Sequence, residues 1–124
     1  MITCLAAFTI GAGLVTGPAA LPQEVMEDAR ALVQVQTPND AFYTALADFT
    51  IDAEALSEAL RAAGATEDLP CIFHGIAEDA RARAADLRGA QNQEAQTRAM
   101  NALRALLDDA ILLAPFAAEE LMDP

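Results

Sequence analysis

Cys71 and His74 are the residues of this chain best suited to chemistry, since His74 is the only histidine and Cys71 is one of two cysteines. On a helix, a spacing of three residues places both side chains on one face. A thiol beside an imidazole could act as a nucleophile, because the imidazole favours the reactive thiolate. The same two side chains could also provide part of a zinc or copper site.

Nothing else in the sequence completes either kind of site. The second cysteine, Cys4, lies near the N-terminus, whereas a structural zinc site needs four ligands. The sequence contains no glycine-rich phosphate loop, EF-hand spacing or Ser-His-Asp arrangement. We therefore interpret Cys71 and His74 as packed structural residues, predict no cofactor, and keep a thiol- or metal-dependent activity of this pair as the alternative.

The segment around Cys71 and His74 is predicted to be a buried helix. Residues 66–68 can cap its start, and Pro70 suits the first turn, where its missing N–H costs nothing. An apolar line continues to Leu87, so the helix is expected to end near Arg88. Gly75 weakens a helix, and a glycine in this position is typical of a close approach by another helix.

Apolar residues recur at helical spacing through most of the chain, and alanine is abundant. This pattern predicts an all-α fold, a small antiparallel bundle of four to five helices within one domain at residues 21–124. The expected helices cover residues 21–35, a short segment ending near Phe49, a segment capped by Thr50 or Asp52 that ends at Gly64, residues 66–88, and residues 94–113. Turns are expected at 37–40 and 89–93, and Pro115 is expected to end the last helix.

The net charge of −12 makes nucleic acid an improbable partner, because seven arginines and no lysine face nineteen acids. The charges are also distributed unevenly. Residues 21–70 carry ten acids against two arginines, whereas residues 80–107 carry five arginines against two acids. These five are Arg81, Arg83, Arg88, Arg98 and Arg104. We expect this arginine strip to face the acidic half, within one chain or across a self-associated pair, or to meet a protein partner.

The first twenty residues resemble an export signal, because no charged side chain occurs from Ile2 to Ala20. An apolar run precedes Gly17, Pro18 and Ala19, as in segments that are cleaved after small residues. A positively charged start is lacking, and the alternatives are a retained membrane anchor or a buried helix. The sequence thus predicts a periplasmic or secreted, non-enzymatic helical interaction module, with membrane contact only if residues 1–20 are retained.

Overall fold

The computed structural model describes residues 17–65 and 68–122, and every regular element in these ranges is helical. A 3-10 helix over Pro18–Ala20 leads into α1 (Leu21–Val33), which is followed by α2 (Asp40–Ala62), α3 (Asp68–Gly89) and α4 (Gln93–Met122). The all-α prediction is confirmed. Most of the predicted signal segment, residues 1–16, and the predicted cap residues 66 and 67 lie outside the described residues.

The four described helices pack together in a closed ring. Helix α2 packs against α1 and α3, and α4 packs against α3 and α1, whereas α2 and α4 meet only sparsely across the centre. The core is built mainly from leucine and alanine with a few phenylalanines; its largest fully buried apolar members are Val25, Leu46, Phe49, Leu56, Leu60, Phe73, Leu103 and Leu107. Fully buried alanines on every helix permit close packing without large side chains.

The ends of the helices follow local rules that the sequence displays. The Phe42 N–H donates to Asn39 Oδ1 at 2.8 Å, so Asn39 in the predicted turn at 37–40 caps α2. Asn92 caps α4 in the same way, accepting from the Ala95 N–H at 2.8 Å. Gly64 follows α2 with a φ of +79°, a conformation that favours glycine. The predicted turn after Gly89 is also present.

The predicted break between two short helices near Phe49 is wrong, because α2 runs through it without interruption. Thr50 is buried and its hydroxyl donates to the Ala47 carbonyl at 2.7 Å, so it is satisfied inside the helix and caps nothing. Ala53 and Leu56 continue the buried face that Phe49 begins. Burial of this continuous apolar stripe outweighs the capping preference of isolated polar residues.

The predicted helix end before Pro115 is also wrong, since Pro115 lies inside α4. Proline removes one backbone hydrogen bond and crowds the preceding turn. Ala114 and Ala117, on either side of Pro115, are nonetheless fully buried or nearly so. Their packing carries the helix past the proline, and Ala114 and Pro115 line a groove opposite Pro22 of α1.

Gly75 does not mark a close helix approach, contrary to the expectation from sequence. A Cβ atom added at this position would meet no atom within 4 Å. The backbone there is ordinary helix, because Gly64 is the one glycine with positive φ among the residues described. Gly75 therefore weakens α3 without a compensating contact within the described chain.

We expect Gly75→Ala to raise the free energy of unfolding by about 0.5–1 kcal/mol, because alanine loses less backbone entropy in a helix. Gly64→Ala provides the contrast. It should lower stability by about 1 kcal/mol, since the left-handed conformation strains any residue with a Cβ. Urea denaturation of both variants beside the wild-type protein measures these differences. If Gly75→Ala instead lowers the free energy of unfolding, the added methyl group must clash with an atom outside the described contacts.

Candidate functional site

Helices α2 and α3 position the predicted Cys71 and His74 pair. Ser57 of α2 is fully buried, and its hydroxyl donates to the Pro70 carbonyl at 2.6 Å, which fixes the start of α3 against α2. Phe73 and Ala77 point into the core with no exposed surface. Cys71 and His74 lie beside this buried line and are half-buried. The central segment thus meets the core on one face, while the predicted reactive pair sits at its edge.

His74 is held between two carboxylates. Its Nδ1 lies 2.7 Å from Glu54 Oε2 on α2, and its Nε2 lies 3.4 Å from Glu78 Oε2 one turn further along α3. Only 24% of the side chain is exposed to solvent. The second oxygen of Glu54 faces Arg81 Nη1 at 3.9 Å. The result is a small ionic network that joins α2 to α3 at the surface of the bundle.

This network limits the chemistry that His74 can perform. The Glu54 carboxylate is within hydrogen-bond distance of Nδ1, and the Glu78 carboxylate faces Nε2 from the same helix. A histidine that acts as a base toward the Cys71 thiol needs an unprotonated nitrogen directed at the sulfur. Because carboxylates face both ring nitrogens, the geometry favours a structural role for His74 over a nucleophilic pair. Across residues 17–65 and 68–122, no three His, Cys, Asp or Glu side chains group as metal ligands would.

The five arginines of the predicted strip have different neighbours. Arg81 reaches Glu54, whereas Arg83 and Arg98 pair with Asp86 at 2.9 Å and Glu94 at 3.6 Å on their own helices. The Arg88 guanidinium lies 4.1 Å from the centre of the Tyr43 ring, and Arg104 Nη2 donates to the Val35 carbonyl at 3.0 Å. Among these contacts only that of Arg81 joins the strip to an acid of residues 21–70. Arg88 and Arg104 also contact residues 21–70, through a ring and a backbone carbonyl, so three of the five arginines reach that half of the described chain and two pair within their own helices.

A groove of about 610 Å³ lies where α3 ends and α4 begins. Arg83 and Arg98 line it together with Asp86 and Asn92. Its cations could attract an anion, but Arg83 pairs with Asp86 and Arg98 pairs with Glu94. This local neutralisation leaves the groove without a strong preference for either sign of charge.

Among the described residues, the strongest electrostatic perturbation lies at the interface of α1 and α2, where the sequence predicted no site. The pKa of Asp28 is raised from 3.8 to about 7, first by burial and then by a hydrogen bond with the Asp52 side chain and the charges of Asp52, Asp48 and Glu24. One Asp28 oxygen is buried without a hydrogen-bond partner among the described residues. Asp48 and Asp52 are four residues apart on one face of α2, which is the signal that the sequence did offer.

Comparison with protein-family models, with curated proteins and with solved structures gave no match. Within the described ranges, no helix is both long enough and apolar enough to cross a bilayer. The site is therefore interpreted from its own geometry.

We expect the thiol of Cys71 to react with a maleimide at a rate that does not depend on His74. In a Cys4→Ser background, His74→Ala should change the labelling rate of folded protein by less than about twofold, because the imidazole is committed to Glu54 and Glu78. Labelling across a range of pH, with unfolded protein as the reference, measures this. A tenfold or larger fall in rate would instead establish a thiolate-imidazole pair.

The raised pKa of Asp28 makes stability depend on pH. Folded protein retains a proton that unfolded chains release above about pH 4, so the free energy of unfolding falls as pH rises from about 4 to about 7. Asp28→Asn should remove this loss. We expect the variant to be more stable than wild type by on the order of 1 kcal/mol at about pH 8, after allowance for solvent screening, and nearly equal at about pH 4.

Glu27→Gln is the matched control for Asp28→Asn, since Glu27 is an exposed acid on the same helix. Its effect on the free energy of unfolding should vary little with pH. Chemical denaturation at both pH values provides the comparison. Equal pH dependence in wild type and Asp28→Asn would contradict the assignment of the buried proton to Asp28.

Proposed function

We propose that this protein is an exported, non-enzymatic helical module that binds another protein in the periplasm or cell envelope. The observation that carries the binding role is the exposure of large apolar side chains on α4, where Leu112 is 66% and Phe116 is 54% exposed. Two such residues one turn apart on the same helix face form a surface suited to a protein contact.

The internal arrangement supports a scaffold for this surface more than a reaction centre. His74 is engaged by carboxylates on both sides, so a thiol- or metal-dependent activity at Cys71 and His74 has less support. Short connections join consecutive helices that also pack on one another, which supports an antiparallel bundle. A bundle of this kind presents the outer face of each helix on a rigid support.

The proposed location rests on the start of the chain. The uncharged segment from Ile2 to Ala20 has the composition of an export signal, and the small residues Gly17 and Ala19 suit cleavage. If residues 1–20 are retained instead of cleaved, they would anchor the same module to the membrane. Either way, the helical domain would function outside the cytoplasm.

Cell fractionation followed by N-terminal sequencing tests the proposed export. We expect the mature protein in the periplasmic or secreted fraction to begin shortly after Ala19. Leu14→Arg should keep the chain in the cytoplasm with Met1 intact, because a charge interrupts the apolar run. Gln23→Arg, an exposed position in α1, should leave export unchanged. Wild-type protein that stays in the cytoplasm with Met1 intact would overturn the proposed location.

A further inference from the structure

The outer face of the second half of α4 combines apolar residues with acids in a fixed order. Leu112 and Phe116 are one turn apart, and exposed Pro115 lies between them. Asp108, one turn before Leu112, and Glu119, two turns after it, are also exposed. By helical geometry both acids lie within about 40° of Leu112 around the helix axis, and they are about 16 Å apart along it. The apolar residues therefore form an island with a carboxylate at each end, called here the α4 face.

The charge on this part of α4 is of one sign. Residues 105–122 contain four acids and no lysine or arginine. Asp109, also exposed, adds a further carboxylate beside Leu112. A partner that covers the apolar island must therefore bring its own cations to the rim or leave these carboxylates facing apolar surface.

The C-terminal end of α4 departs from the usual placement of charge. Helix C-termini carry a partial negative charge and favour cations, yet the last turns of α4 contain Glu119 and Glu120 and no basic residue. Within the described chain nothing in α4 offsets this local cost. Departures of this kind concentrate at functional surfaces, where a partner supplies the missing contact.

We infer that the α4 face binds a cationic amphipathic helix of a partner protein. The partner's apolar residues would pack on Leu112 and Phe116, and lysines or arginines at the two ends of its apolar stripe would meet Asp108 and Glu119. The cation that meets Glu119 would also lie near the negative end of α4, where the helix dipole stabilises it. This inference rests on the proposed function and specifies the partner's chemistry.

A second copy of this chain fits the α4 face less well. In a two-fold antiparallel pairing centred between Leu113 and Ala114, Asp108 of one copy would approach Glu119 of the other, and like charges would meet at both ends. The net charge of −12 adds to this repulsion. Charge complementarity therefore favours a basic partner.

Binding of two synthetic helical peptides to the full-length protein tests the inference. Both peptides have about 18 residues with leucines along one face; one carries lysines along the flanks, and the other carries glutamates at the same positions. We expect the lysine peptide to bind in a saturable manner, measured by fluorescence anisotropy, and to bind more weakly as salt rises. The glutamate peptide should not bind measurably.

Three variants locate the contact. Leu112→Gln with Phe116→Gln should weaken binding at least about tenfold, because the apolar island is lost. Asp108→Asn with Glu119→Gln should weaken peptide binding several-fold and reduce its salt dependence. Both of these acids are exposed, so this double variant should fold even if the Leu112→Gln, Phe116→Gln variant does not. Ile51→Gln removes a 61% exposed apolar residue on α2 and should leave the dissociation constant unchanged. Thermal melting of each variant verifies folding.

Several outcomes would overturn the inference. They are an absence of saturable binding by the lysine peptide, equal binding of both peptides, or equal loss of binding in Ile51→Gln. Self-association in sedimentation experiments that disappears in the Leu112→Gln, Phe116→Gln variant would assign the face to a second copy instead. Export is measured independently by fractionation, so failure of the proposed location leaves the binding result standing, and the reverse also holds.

Discussion

The packing of α2 on α3 is the contact on which the rest of the structure depends. Phe49 and Phe73 are the largest fully buried side chains in the described chain, and one comes from each of these helices. The buried Ser57 hydroxyl fixes the start of α3, and at the other end Arg88 of α3 stacks on Tyr43 of α2. Because both ends of the pair are fixed, the ionic network of His74 between them has a defined geometry.

The two sides of α2 have opposite electrostatic character. Toward α3, Glu54 meets His74 and Arg81, and these contacts favour the folded state. Toward α1, Asp52 meets Asp28, whose pKa is raised to about 7, so ionisation of both carboxyls weakens this side of the helix. Helix α1 stays in place because Val25, Ala29 and Leu32 are almost fully buried. Burial of a valine or leucine contributes about 1.5–3 kcal/mol, enough to offset a repulsive, partly solvated carboxyl pair.

Sequence periodicity was sufficient for the helical class, for α1, and for the turns at Asn39 and Gly89, because these features depend on neighbours in the chain. It failed at Thr50 and Pro115, where buried residues on both sides of a polar or helix-breaking residue hold the helix together.

Only one of the two carboxylate neighbours of His74 could be predicted from the sequence. Glu78 lies one turn away on α3, whereas the contact with Glu54 depends on how α2 packs against α3. Asp28 was missed for the same reason, since its carboxylate neighbours Asp48 and Asp52 come from another helix.

The places where the chain departs from local rules separate structural from functional surfaces. Around Cys71 and His74 such departures are fewer: the histidine has carboxylate neighbours, the Ser57 hydroxyl is satisfied, and Phe73 and Ala77 are buried, although Ile72 is 38% exposed. The second half of α4 instead combines an internal proline, exposed Leu112 and Phe116, and acids at the negative end of the helix. Each departure alone costs a modest amount of stability, about 1 kcal/mol for misplaced charge and more for the proline. Folding of the bundle accounts only for the proline, and the exposed residues and the acids are the observations that support the proposed partner surface.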